Sequence, residues 1–289
     1  MKEITILSGK GGTGKTSITA ALASIASQAV FCDNDVDAAD LHLIMRPTIR
    51  EEHTFLGGWT ATINENICND CGICADICRF DAIHLNGHER LEINPFSCDG
   101  CRLCERLCPV QAITSAQSTN NSWYVSDTRF GVLVHAKMGP GEENSGKLVS
   151  EVRKKAKELA IEGDARYLIN DGPPGIGCAA ISSLTGTDLV IMVIESTISG
   201  LHDVRRLYEL IQIFSIPTYA LLNKIDINPL STSEIEEFLK EKSIPLLGKI
   251  PFDERMVEAM IEGKTIIEFN ESLETSKVIM EAWNKIENL

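Results

Sequence analysis

Gly9-Lys10-Gly11-Gly12-Thr13-Gly14-Lys15-Thr16, soon after the stretch Lys2 to Leu7, decides the architecture. The eight residues fit G-x-x-x-x-G-K-[ST]. In that pattern the glycines let backbone N–H groups wrap phosphates, the lysine meets the β/γ oxygens, and the hydroxyl reaches Mg²⁺. Nucleotide contacts are therefore expected from Gly11, Gly12, Thr13, Gly14, Lys15, Thr16 and Ser17, with Thr16 on the metal ion. Lys2 to Leu7 reads as a short buried strand. Thr16 to Ser27 is small and apolar, as a helix packed under a sheet should be, and its N-terminal dipole faces the anion. A strand before and a helix after form the context that confirms such a loop.

Further along, apolar runs near 3–8, 29–33, 53–62, 131–135, 166–171, 188–194 and 217–223 alternate with helical stretches. That alternation predicts an α/β fold with a mostly parallel, doubly wound sheet. A chain of 289 residues, 44% hydrophobic, can bury one large α/β core plus a small module.

The small module is announced by cysteine. Cys68-x2-Cys71-x2-Cys74-x3-Cys78 is repeated as Cys98-x2-Cys101-x2-Cys104-x3-Cys108-Pro109. This is the ligand logic of a two-cluster bacterial ferredoxin, in which the fourth cysteine of each run reaches the other cluster. One [4Fe–4S] cluster then takes Cys68, Cys71, Cys74 and Cys108, and the other takes Cys98, Cys101, Cys104 and Cys78. Structural zinc and disulfides are the competing readings. Zinc sites usually pair two C-x-x-C units across a long spacer, which these runs do not do. Arg79 stands after Cys78 where proline is expected, which loosens one turn without removing a ligand. The expected division is an ATPase domain at 1–59 and 119–289, with a small α+β ferredoxin-like domain inserted at 60–118. The joins are Leu56-Gly57-Gly58-Trp59 and the polar stretch Ser115 to Ser122.

Lys10, in the form Lys-Gly-Gly-x-Gly-Lys-Thr, resembles the deviant Walker A motif of the MinD/ParA/nitrogenase-iron-protein family. The resemblance implies that Lys10 crosses an ATP-bound homodimer to the partner's nucleotide, in the manner of an arginine finger. Ala29 to Cys32 followed by Asp33-Asn34-Asp35-Val36-Asp37 is similar to the family's D-x-D switch, which implies Asp33 near the Mg²⁺ shell and Asp35 orienting the attacking water. Tyr167 to Asp171, then Gly172-Pro173-Pro174-Gly175, resembles its Walker B and switch II, with Asp171 holding magnesium through water. Strand ends are also where open α/β sheets place ligands. By the same resemblance Asn223 of Leu221-Leu222-Asn223-Lys224 reads the adenine edge. The loop Leu247 to Asp253, with Pro251 and Asp253, closes over the base, and Glu258 to Gly263 matches the helix after it. The best match is the subgroup of MinD-like ATPases with an inserted ferredoxin domain, which shares motifs like Gly141-Glu142-Glu143-Asn144-Ser145-Gly146-Lys147 and Gly200-Leu201-His202-Asp203.

Ten cysteines with no leading apolar signal and no apolar run of eighteen residues point to a reducing cytoplasm. The net charge of −14 opposes nonspecific nucleic-acid binding, which needs clustered Lys/Arg. The basic run Arg153-Lys154-Lys155 with Lys157 reads as the wet face of a helix. Glu271 to Leu289 carries four glutamates, unlike a basic amphipathic membrane helix, so no stable membrane association is expected. Cys32 reads as core packing. Cys178 lies seven residues after Asp171, at the offset of a cluster ligand in the nitrogenase iron protein, but no second cysteine outside the module completes a bridging site. None of the six histidines forms an obvious metal pair.

Three functions compete. One is a dimeric ATPase that gates electron delivery from the clusters to a redox or metalloprotein partner. Another is an ATPase that assembles or matures a metal cofactor elsewhere, which lacks its expected extra C-x-x-C. The third is a positioning ATPase with structural clusters, which the acidic C-terminal stretch disfavours. ATP/ADP, Mg²⁺ and two [4Fe–4S] clusters are the expected cofactors.

Overall fold

A computed structural model describes residues 1–139, 142 and 145–289. The chain runs β1 (Lys2–Ser8), α1 (Lys15–Ala23), β2 (Ala29–Asp33), α2 (Leu41–Met45), β3 (Thr48–Phe55) and β4 (Trp59–Ile63). Then come α3 (Ile73–Asp76), β5 (Ile83–Leu85), β6 (Leu91–Ile93), α4 (Leu103–Leu107), β7 (Ile113–Gln117), β8 (Asn121–Thr128) and β9 (Gly131–Lys137). The remainder is α5 (Ser145–Glu162), β10 (Tyr167–Pro174), α6 (Cys178–Leu184), β11 (Leu189–Glu195), α7 (Ile198–Ile213) and β12 (Thr218–Asn223). It closes with α8 (Pro229–Glu241), β13 (Leu246–Ile250), α9 (Arg255–Ile261), α10 (Ile266–Phe269) and α11 (Glu274–Glu287).

Two compact units emerge. The larger comprises Met1–His53, Trp123–Lys137 and Ser145–Leu289; the smaller comprises Thr54–Ser122 and Met138–Asn144. One nine-stranded sheet has the order β13-β12-β11-β1-β10-β2-β9-β8-β3, and every pairing from β13 to β9 is parallel. The period of two in its strands sorts side chains to two faces. Leu189, Ile191 and Val193 of β11 join the core under α1, α10 and α11, whereas Val190, Met192 and Ile194 join the core under α7 and α8. This is the doubly wound α/β arrangement.

In the smaller unit β4 pairs antiparallel with β7, and β5 with β6. Ala61, Ile83, Leu91, Ile93 and Ile113 pack with Cys74 at its centre. The stretch 53–62, read as one strand, is two. β3 ends at Phe55 and belongs to the nine-stranded sheet, while β4 starts at Trp59 and pairs with β7. Leu56-Gly57-Gly58 breaks the alternation, and Gly57 N–H bonds Ser118 O at 2.8 Å. The first helix stops at Ala23, short of Ser27, because Ser24 closes it with its N–H on Ala20 O and its hydroxyl on Ala21 O. The polar stretch 115–122 is mostly strand, since β7 runs to Gln117 and β8 opens at Asn121. The loop expected over the base contains β13.

The basic run on α5 also needs correction. Lys154 is exposed, but Arg153 is buried, with its guanidinium on Glu3, Ser182 O and Thr185 O. Glu3 sits in β1 with almost no exposure and also accepts from Asn170 at 3.1 Å and Lys157 at 3.2 Å. A strand-borne carboxylate buried this deeply requires a cation from the covering helix. Among the described residues no helix is long and apolar enough to cross a membrane. α11 turns Ile279, Ala282, Trp283 and Ile286 into the core.

Arg153→Ala should therefore destabilise the protein by ~1–3 kcal/mol, since it takes the buried partner from Glu3 and leaves Lys157 and Asn170 to it, while Lys154→Ala should stay within ~0.5 kcal/mol. Urea midpoints of the two variants measure the contrast, and equal midpoints would contradict it.

Candidate functional site

The loop between β1 and α1 places Gly12 and Gly14 in the left-handed region, at φ 77° and 88°. Gly14 also admits no side chain, because a Cβ there would stand 2.5 Å from Asn223 Nδ2. That amide donates to Thr13 O at 2.7 Å and so ties the loop to the end of β12. α1 begins without a side-chain cap and without an acidic residue in its first turn. Its free N–H groups and dipole are left for an anion.

Asp171, fully buried in β10, gathers the loop's cation and hydroxyls. Lys15 Nζ donates to Oδ1 at 2.8 Å, Thr16 Oγ1 to Oδ2 at 2.7 Å, and Thr19 Oγ1 to Oδ1 at 2.8 Å. Asp33, at the end of β2, accepts the N–H groups of Asp35 at 3.2 Å and Leu41 at 3.1 Å. Burial, and then the neighbouring Asp171, push the Asp33 carboxyl well above the ordinary range against the pull of Lys15. Burial likewise pushes Asp35 up to about 6, with Lys15 opposing and Asp171 adding. Asp171 thus touches the one ammonium, and Asp33 and Asp35 feel its charge.

Lys10 is held within its own chain. Its Nζ lies 2.5 Å from Glu195 Oε2 and donates to Ser199 Oγ at 2.9 Å and Thr197 Oγ1 at 3.1 Å. Glu195 also accepts from Lys224 at 2.7 Å, and Lys224 reaches Gly12 O at 2.9 Å. Burial would raise the Glu195 carboxyl, but the two lysines outweigh it and hold the group below its usual range. Glu195 was not singled out in the sequence. Its signal was its place one residue past the apolar run 188–194, at a strand end. Of Gly200-Leu201-His202-Asp203, Asp203 lies against the loop, since a Cβ on Gly9 would meet that of Asp203 at 2.6 Å. Of the motif at 141–147, Gly141, Glu143 and Asn144 lie outside the described residues.

The loop opens on a cleft of about 1360 Å³. Gly11 to Ser17, Asp35, Asn223, Pro251 and Asp253 all line it, together with the apolar Leu43, Phe252, Met256 and Met260. Asp253 is fixed by Thr275 Oγ1 at 2.9 Å and Arg255 Nε at 2.7 Å. Asp33, Asp171 and Lys10 do not line the cleft; Asp33 ends β2 and Asp171 lies within β10.

In the smaller unit the eight run cysteines fall into two cavities. Cys78, Cys98, Cys101 and Cys104 line one, and Cys68, Cys71, Cys74 and Cys108 line the other. Among the described residues, no three His, Cys, Asp or Glu side chains converge on a single ion. Cys32 is buried in the core, and Cys178 is exposed at the start of α6.

The family described as the CobQ/CobB/MinD/ParA nucleotide binding domain matches residues 4–266. The chain belongs to this family. An uncharacterized protein of Methanocaldococcus jannaschii is 33% identical over 229 residues, covering 78% of this chain and 79% of its own. Among solved structures, the septum site-determining protein MinD of Pyrococcus horikoshii, complexed with Mg-ADP, superposes with a TM-score of 0.59 at 18% identity, covering 99% of this chain and 96% of that one. The MinC:MinD cell division protein complex of Aquifex aeolicus gives 0.58 at 16% identity, with 100% and 97% covered. These last two likenesses describe the fold.

The raised Asp35 carboxyl carries a pH signature. Between its ordinary 3.8 and about 6, the native state binds more protons than the unfolded state, so this group makes stability fall as pH rises through that window. In nucleotide-free protein, Asp35→Asn should flatten the fall and raise the urea midpoint at pH 7. A midpoint at pH 7 equal to or below wild type would exclude the effect.

Proposed function

We propose that this protein is a Mg²⁺-dependent ATPase whose nucleotide-switched homodimer couples hydrolysis to electron delivery, from two cysteine-held [4Fe–4S] groups to a redox or metalloprotein partner. The observation that carries the reading is the pairing, in one chain, of a phosphate loop with two four-cysteine cavities. Each cavity is lined by three cysteines of one run and the fourth of the other.

The donor sets fit these groups. A cube gives each thiolate its own iron, so its ligands surround a cavity instead of converging on a point. The smaller unit has a thin core, and modules of its size need staples such as metal groups. Two [4Fe–4S] groups supply one-electron storage. At the loop, Thr16 and Asp33 are the residues to hold Mg²⁺, with Asp171 acting through water, and the excess of carboxylates over Lys15 suits a cation. Mg²⁺ neutralises phosphate charge when bound. The Pyrococcus relative complexed with Mg-ADP is consistent with this assignment.

The residues then divide the work. Lys15 leaves Asp171 for the β/γ oxygens, and the N–H groups of Gly11 to Thr16 wrap the phosphates. Asp35 orients the attacking water. Asn223, Pro251 and Asp253 border the base. Lys10 leaves Glu195 to reach the partner subunit's nucleotide, so hydrolysis awaits dimer closure. Nucleic acid is not a partner, and a reducing cytoplasm suits the free thiols.

Lys15→Ala should abolish tight ATP binding. Lys10→Ala should keep binding but lower turnover by ~10³–10⁵, and Asp35→Ala should also bind without turning over. Mixing the Lys10→Ala and Asp35→Ala proteins should restore part of the activity, because one intact site can form across the dimer. Wild-type turnover by the Lys10 variant would refute the shared site. Anaerobically prepared protein should hold about eight iron and eight acid-labile sulfide per chain; zinc without a paramagnetic signal on reduction would refute the clusters.

A further inference from the structure

The smaller unit repeats itself at an offset of thirty residues, so its halves can be compared position by position. Cys68, Cys71, Cys74 and Cys78 fall on Cys98, Cys101, Cys104 and Cys108. The backbone agrees with the alignment. Left-handed φ values recur at Asp70 (50°) and Gly100 (66°), Gly72 (81°) and Arg102 (60°), and Asp81 (49°) and Gln111 (53°).

Several differences break this symmetry, and two of them act in one direction. Asp70 N–H donates to Cys68 Sγ at 3.4 Å, and Ala112 N–H to Cys108 Sγ at 3.2 Å. Both sulfurs belong to the first cage, that of Cys68, Cys71, Cys74 and Cys108. Among the described residues no corresponding N–H, of Gly100 or Ala82, reaches Cys98 or Cys78 in the second cage. The other difference is charge. Asn69 lines the first cage, and its counterpart Asp99 lines the second; both are exposed. Asp70 Oδ1 also lies 3.7 Å from Cys68 Sγ in the first cage, and the exposed Arg79, after Cys78, lines neither cage. Asp70 is paired with Arg90 at 2.8 Å, and Arg102 with Glu105 at 2.8 Å.

Hydrogen bonds to ligating sulfurs and local net charge are two levers on a cluster's potential. An N–H aimed at sulfur favours the more negative, reduced state, and a nearby carboxylate disfavours it. Exposure works the other way at one ligand pair, where Cys74 is buried and Cys104 half-buried, but a full charge and two donors outweigh it.

We infer that Asp99, set against Asn69 and the amides of Asp70 and Ala112, makes the two cysteine cages unequal, so that the first cage accepts an electron before the second. The exchange is one electron from an external one-electron donor to one cage, with no bond made or broken. A single electron then resides at the first cage, and the second is its route or its overflow. This inference rests on the cages holding [4Fe–4S] groups.

The test is a dithionite titration of the anaerobic full-length protein, followed by electron paramagnetic resonance, with iron and sulfide counted on the same samples. Wild type should show two one-electron waves at least ~59 mV apart, a tenfold preference for one electron. Asp99→Asn, a near-isosteric change, should raise the lower wave and leave the upper in place. Asn69→Asp should lower the upper wave, and the double exchange should narrow the gap. Coincident waves in wild type, movement of the wrong wave, or waves indifferent to both substitutions would overturn the inference while the iron count leaves the clusters standing. A sample without iron would instead overturn the reading beneath it.

Discussion

Everything at the nucleotide site hangs on one carboxylate. Asp171 ends a run of β10 that pairs with both β1 and β2, and it holds Lys15, Thr16 and Thr19 at once. Loop, helix and the two strand ends therefore share a single fixed point. The ion pair is a poor source of net stability. At an effective dielectric near 20, unit charges 4 Å apart attract by ~4 kcal/mol, and removing each ion from water costs several kcal/mol. Near balance is what a switch requires, because a triphosphate can then take the ammonium over without a large penalty.

The same economy governs the acids around it. Asp33 and Asp35 are both held above their ordinary range, chiefly by burial and secondarily by Asp171. The sheet brings strand ends together, and β2, β11 and β12 end on Asp33, Glu195 and Asn223. The carboxylates there outnumber the one ammonium among them, so negative charge is in excess at this site. On the opposite end of β1, the buried Glu3 meets a full complement of donors in Arg153, Lys157 and Asn170. One buried acid is closed off and structural, and the other group is left open for a ligand.

Much of this was written in the sequence. The loop 9–16, its flanking strand and helix, and the central strands were recoverable because phosphate loops and parallel strands impose local rules on glycine and on apolar runs. The cysteine spacings anticipated the two four-cysteine cavities for the same reason. What escaped depends on contacts distant in sequence. β8 hid in a polar stretch because an outer strand of the sheet has no continuous apolar run to betray it. Arg153 looked solvated since nothing local announces Glu3, 150 residues away. Glu195 lay one residue beyond an apolar run, and only the folded loop brings Lys10 and Lys224 to it.

Glu195 also explains how Lys10 can be both anchored and free to leave. A half-buried carboxylate that loses its only cation bears a desolvation penalty of several kcal/mol, which would oppose any excursion of the lysine. Here Lys224 occupies the other oxygen, at 2.7 Å, and is itself fixed by Gly12 O. Thr197 and Ser199, the remaining partners of Lys10, bond each other at 3.2 Å and so keep a partner when the ammonium departs. Every group that Lys10 abandons is already paired. The cost of moving it is then mainly the loss of one partly exposed ion pair, which is modest.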